Sequence, residues 1–203
     1  MRIPTDNFRD PAALARFFLV CLVGLGLDLW TKAYSFEHLA MANAPASDTR
    51  PRVVPFIPGW VQFEITTNKG AVFGVGQGQK WLFLSVSVLA IGFLSYLFAT
   101  SERQRFYQFI LGMLLAGVLG NMYDRIVFSH VRDMIHALPG WHWPGTWSIR
   151  GYPGESRDVF PFIFNVADIL LCVGVGLMVV FSAFTPSAGK KDEGKAEQAE
   201  AVA

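Results

Sequence analysis

Four stretches of the chain stay apolar for about twenty residues or more, and polar or proline- and glycine-punctuated sequence separates them. They run over about 13–35, 81–100, 106–128 and 162–184. A helix needs roughly 20 residues to cross a hydrocarbon core, so the pattern predicts four membrane-spanning helices. The second stretch has no charged residue. The other three carry ionisable groups toward one end. The first has Arg16 upstream and "LVC" at 19–21, which hints at a cleaved leader. Val20 stands where a small residue is required, however, and the apolar run continues to Leu29, so a retained span is expected.

Between the spans lie two long loops, 36–80 and 129–161. In the first, "VVPFIPGWVQFEITTNKGAVFGV" alternates with a period of two. Val61, Phe63 and Ile65 point one way, and Gln62, Glu64 and Thr66 the other. That predicts a strand with one apolar face, after a turn at Pro58-Gly59. The expected arrangement is a small sheet on the membrane surface with Trp60 at the interface. The second loop is rich in Trp, Gly and Pro; Trp141, Trp143 and Trp147 suit an interfacial belt or a lid. The tail 186–203 is polar and low in complexity and is expected to be disordered and cytoplasmic. It follows a four-helix membrane unit over 1–185.

Composition agrees with a membrane protein: 52% of 203 residues are hydrophobic and the mean hydropathy is +0.35. A net charge of +1 argues against nucleic acid as a partner. Cys21 and Cys172 both lie in apolar runs and read as small hydrophobes rather than a disulfide or metal ligands. Arg2, Arg9 and Arg16, the link "SERQR" at 101–105, and Lys190, Lys191 and Lys195 in the tail favour cytoplasmic termini.

The ionisable groups inside the spans demand explanation, because a charge at bilayer depth costs at least ~2.5 kcal/mol. Asn121, Asp124 and Arg125 share one face of the third span at i, i+3 and i+4. Asn165 and Asp168 share a face of the fourth, and Asp28 and Lys32 a face of the first. All lie near ends expected on the outer side. Gly112, Ala116 and Gly120 form a ridge of small residues that lets helices approach, and Gly174 and Gly176 offer another. Asp124–Arg125 suits a structural ion pair or an anchored helix end, and Asp28–Lys32 a pair reaching for the interface. Asn121 and Asn165 suit interhelical hydrogen bonding or substrate contact. Asp168 has no Lys or Arg within helical reach, which favours function; Asp133 gains interest only as its partner.

Two carboxylates in a low-dielectric site cannot both ionise easily, so such a pair shares a proton. One member takes a proton from water while the other protonates the reacting group. This is aspartic-protease chemistry. The four histidines form no His-Glu-x-x-His pattern, and no Gly-x-Ser-x-Gly elbow occurs. No metal or cofactor is expected. A proton-coupled transporter also uses intramembrane acids, but spreads them through the membrane depth.

Four blocks in order resemble the lipoprotein signal peptidase (signal peptidase II) family: "LDLWTK" (27–32), "TNKGAVFG" (67–74), "GVLGNMYDRIVFSHVRDMI" (117–135) and "FNVADI" (164–169). The resemblance implies an all-α membrane fold of four spans with a small periplasmic or extracellular β element. It implies a multi-pass protein of the bacterial inner membrane with cytoplasmic termini and the active site toward the outer face. The activity implied is removal of signal peptides from prolipoproteins, before a diacylglyceryl-modified cysteine. Asp133 and Asp168 match the family's catalytic aspartates. Asn68, Gly70, Asn121, Asp124, Arg125, Asn165, Asp28 and Lys32 match its supporting or substrate-binding positions. Globomycin-like inhibitors, membrane lipid and a monomeric state follow by the same resemblance. Two features depart from the family pattern: Met134 replaces the usual Phe, and the Trp/Gly/Pro-rich stretch 136–160 lengthens the loop between the two aspartates.

Overall fold

A computed structural model of the chain describes residues 6–39, 53–70, 76–101, 104–144 and 157–184. The tail from 186, Trp147 and the end of the "TNKGAVFG" block lie outside the described residues.

A short helix α1 (Asp6–Arg9) leads into α2 (Pro11–Tyr34). The Asp10 carboxylate accepts from the Ala12 amide at 2.9 Å, and Pro11 occupies a first-turn position where its missing N–H costs nothing. A π-helical turn, Ser35–Leu39, continues α2. Three more long helices follow: α3 (Lys80–Thr100), α4 (Arg105–Phe128) and α5 (Val166–Phe184). These three and α2 with its continuation are each long and apolar enough to cross a membrane. Lys80, opening α3, reaches the Ile126 carbonyl at 3.3 Å and Ser129 Oγ at 3.1 Å beside the end of α4. The Ala167 amide, opening α5, meets Asp28 toward the end of α2. So α2 and α4 finish at the end of the bundle where α3 and α5 begin.

Helix α4 is the centre of the bundle. Its Ile110, Leu111, Leu114, Leu115 and Ala116 are buried with Phe17, Cys21, Leu94 and Phe98. The small ridge works as its spacing predicts. A Cβ on Gly112 would stand 2.7 Å from the Phe17 carbonyl, Ala116 Cβ lies 2.9 Å from the Cβ position of Gly24, and a Cβ on Gly120 would overlap the Asp28 carboxylate. The second ridge is half right. Gly174 seats Leu114, but Gly176 faces open space, because positions two apart on a helix do not share a face. The far end of the bundle is tied by buried Asn7, which donates to the Phe98 carbonyl at 2.9 Å and accepts from Gln108 at 3.2 Å.

Four antiparallel strands cap the other end in the order β1-β2-β3-β4: β1 (Val53–Ile57), β2 (Val61–Asn68), β3 (Val131–Ala137) and β4 (Ile163–Phe164). The β1–β2 turn contains Gly59 at φ +76°, a conformation that Pro58-Gly59 supplies readily. The register shifts between Phe63 and Thr66 against β3, so the strict alternation of β2 is interrupted by a bulge. Trp60 is exposed and packs on Trp141, with ring centroids 5.2 Å apart.

Three expectations need correction. The sheet is not confined to the first long loop, and Asp133 is not in a loop: it lies on β3. Val131, Arg132, Asp133 and Met134 are all buried. A strand covered on both faces shows no polar–apolar alternation, so its period was invisible. The fourth helix also begins at Val166, not 162, because Ile163 and Phe164 pair with His136 and Ile135 on β3.

Candidate active site

The start of α5 is built by a reciprocal cap. The Asp168 amide donates to Asn165 Oδ1 at 3.1 Å, and the Asn165 amide donates to Asp168 Oδ2 at 3.2 Å. This is a capping box, with Asn at the cap and Asp three residues on. The intervening Ala167 amide donates to Asp28 Oδ1 of α2 at 2.8 Å. The helix therefore starts in a polar cluster, with its positive dipole end beside Asp168.

Asn165 joins the two aspartates. Its side-chain amide donates to Asp133 Oδ1 at 2.7 Å, while its backbone amide holds Asp168. Asn121 donates to Asp168 Oδ1 at 2.8 Å. The Asn121 oxygen faces two donors, Lys32 Nζ and Asn165 Nδ2, each at 3.2 Å. Its amide nitrogen is therefore obliged to face the carboxylate. Asn68, at the end of β2, lies near enough to Asp133 to favour its charged form and accepts from the Gly70 amide at 2.9 Å.

Asp133 is 2% exposed. Burial, with the charge of Asp168 beside it, pushes its carboxyl up to about 7; the hydrogen bond from Asn165, the charge of Lys32 and the nearby Asn68 side chain act against that rise. A carboxyl so placed holds a proton near neutrality. Asp168 is half-buried and borders the groove.

Below the two aspartates lies a closed ion network. Lys32 is fully buried and reaches Asp28 at 2.8 Å and Asp124 at 3.4 Å. Asp124 in turn takes the Arg132 guanidinium at 2.8 Å and the Arg132 backbone amide at 2.9 Å. Two cations face two anions, the balance a buried network requires. The Asp124–Arg125 pair that the sequence offered is replaced. Arg125 turns to the groove, donates to the Gly70 carbonyl at 3.3 Å and lies 4.8 Å over the Phe83 ring.

A groove of about 1340 Å³ opens on this cluster. Asn68, Gly70, Asn121, Arg125, Asp133 and Asp168 line its polar end; Phe83, Val86, Ala90, Leu171 and Val173 are among its apolar walls. All ten residues singled out in the sequence thus converge: six border the groove, and Asp28, Lys32, Asp124 and Asn165 support them from behind. Sequence reasoning missed Arg132, the partner that fixes Asp124 and ties the end of α4 to β3. A cation directly before an acid of interest, in a chain with few buried charges, was the available signal. Among the described residues no group of three or more His, Cys, Asp or Glu side chains gathers around a possible metal position.

Four apolar helices around a buried polar centre that opens on an apolar groove define a multi-pass membrane protein with an enzyme-like site. A bacterial membrane enzyme solved by the in meso method at 2.3 Å resolution superimposes with a TM-score of 0.61 and 25% identity, over 82% of this chain and 87% of that one. A second, at 1.9 Å, gives 0.60 and 24% over 84% and 94% and shares the fold. Residues 20–184 match the family model for signal peptidase (SPase) II. Lipoprotein signal peptidases of Streptococcus pyogenes serotypes M6 and M2 are 33% and 34% identical over 168 residues, covering 81% of this chain and 91% of each relative. The chain belongs to the signal peptidase II family.

Proposed function

We propose that this protein is a membrane aspartic endopeptidase that removes signal peptides from prolipoproteins, cutting before a diacylglyceryl-modified cysteine. The observation that carries the catalytic assignment is that one residue, Asn165, touches both Asp133 and Asp168 at the polar end of an apolar groove. With one proton between them, the ionised aspartate takes a proton from water and the hydroxide attacks the scissile carbonyl. The protonated aspartate gives its proton to the carbonyl oxygen. Collapse of the tetrahedral intermediate breaks the C–N bond, and the leaving amine takes up a proton from the pair. Asn121 and Asn165 orient the acids. Arg125, Asn68 and Gly70 border the substrate backbone, and the apolar walls receive the signal helix and acyl chains. Asp28, Lys32 and Asp124 hold the three helix ends together.

The peptidase unit occupies 1–185, with cytoplasmic termini, and the sheet and site face the outer side of the bacterial inner membrane. It acts as a monomer on prolipoproteins in lipid, and globomycin-like peptides compete for the groove. The test is cleavage of a synthetic lipopeptide carrying a diacylglyceryl cysteine. Asp133→Asn and Asp168→Asn are each expected to lower the rate by roughly 10²–10⁴-fold while folding persists. Retained cleavage in folded Asp133→Asn would overturn the dyad. A folded wild type that cleaves nothing would overturn the activity.

A further inference from the structure

The groove has a wall that the catalytic cluster does not account for. Phe160, Phe162, Ile163 and Phe164 form it, in the segment that leads into α5. Phe160 is edge-on to Phe162 at 5.3 Å and to Phe164 at 5.7 Å, so the three rings pack against one another. Upstream, the segment is anchored where the Val159 amide donates to the Trp141 carbonyl at 2.7 Å. Downstream it is anchored by β4. Between these anchors lies Phe160, followed by Pro161, which donates no backbone hydrogen bond. His136 of β3 fills this gap: its Nε2 donates to the Phe160 carbonyl at 3.2 Å.

The other ring nitrogen is placed so that this bond survives a change of protonation. Nδ1 lies 3.0 Å from Glu64 Oε2 and 3.0 Å from Gln62 Nε2, both on β2. As an imidazolium, His136 donates to Glu64 and to Phe160. As a neutral ring protonated on Nε2, it accepts from Gln62 at Nδ1 and still donates to Phe160.

We propose that His136 is a positioning residue that latches the phenylalanine wall of the substrate groove to the sheet, with Gln62 and Glu64 as alternative partners that keep the latch closed. This rests on the peptidase reading above. It assigns His136 to substrate affinity and not to the chemical step, since it faces the backbone of the wall and not the aspartates.

The test uses three variants of the full-length protein and the diacylglyceryl lipopeptide. In His136→Gln the amide nitrogen takes the place of Nε2 and keeps the donor to Phe160. In His136→Asn the amide nitrogen takes the place of Nδ1 and leaves the Phe160 carbonyl without its partner. The expected result is that His136→Asn raises KM roughly threefold to tenfold with kcat nearly unchanged, while His136→Gln stays near wild type. Glu64→Gln leaves KM unchanged, because the neutral ring still reaches Phe160. Equal KM for the Asn and Gln variants, or a loss confined to kcat, overturns the latch. A rise in KM for Glu64→Gln matching that of His136→Asn overturns the protonation-independent part. Wild type inactive on this substrate refutes the peptidase reading, whereas active wild type with an unchanged His136→Asn refutes the latch alone.

Discussion

Asn165 does at one position what the site needs twice: its side chain holds one aspartate and its backbone the other. Asp133, the more buried of the two, ordinarily ionises at 3.8 and here at about 7. The fold thus retains a proton that the unfolded chain releases. The stabilisation is complete below 3.8 and is lost as pH rises to about 7. Two outcomes follow. Cleavage should decline as pH rises through about 7, where the single shared proton leaves. Thermal unfolding in detergent should show Asp133→Asn gaining on wild type between pH 4 and 7, because an amide has no proton to lose. A constant gap across that range would contradict the burial argument. At this scale the sequence said much: the lone acid Asp168 and the Asn165 spacing both fall in the polar cluster at the groove. Their meaning was less clear, because a three-residue step serves a shared helix face and a helix cap alike. The apolar run 162–164 extended the apolar pattern upstream of the true helix start.

The elements meet at glycines whose roles differ measurably. Gly120→Ala would drive a methyl group into the Asp28 carboxylate, which itself caps α5. Overpacking of this kind costs about 1–3 kcal/mol, so a lower unfolding temperature and reduced cleavage are expected together. Gly26→Ala and Gly92→Ala meet nothing within 4 Å and should be neutral or slightly stabilising, since alanine is the better helix former. Losses at all three positions would mean that glycine serves flexibility and not close approach. The four apolar spans were plain from the run lengths of apolar residues. The strand bearing Asp133 was not, because both its faces are covered and sequence alternation reports only strands with one wet face.

At the scale of the whole molecule, the buried ions bind three helix ends and one strand into a unit. Lys32→Met leaves Asp28 without a cation, while Asp124 keeps Arg132. Breaking a buried network from one side typically costs about 3–5 kcal/mol. A clear drop in the unfolding temperature is expected, and adding Asp28→Asn should recover part of it, since Asn keeps an acceptor for the Ala167 amide. No recovery would show that Lys32 acts by packing alone. This network was only half readable beforehand. The i, i+4 pair Asp28–Lys32 stood out, but the link from Asp124 to Arg132 spans the turn between α4 and β3 and has no periodic signature.

The reciprocal cap at Asn165 and Asp168 also sets a timetable for the growing chain. One aspartate arrives with β3, the other only when the last helix has started and closed its first turn on α2. A polypeptide still emerging from the ribosome at residue 160 carries Asp133 without Asp168, and its groove lacks the wall that α5 supplies. On the aspartic reading proposed above, the capacity to cut arrives only with completion of the bundle.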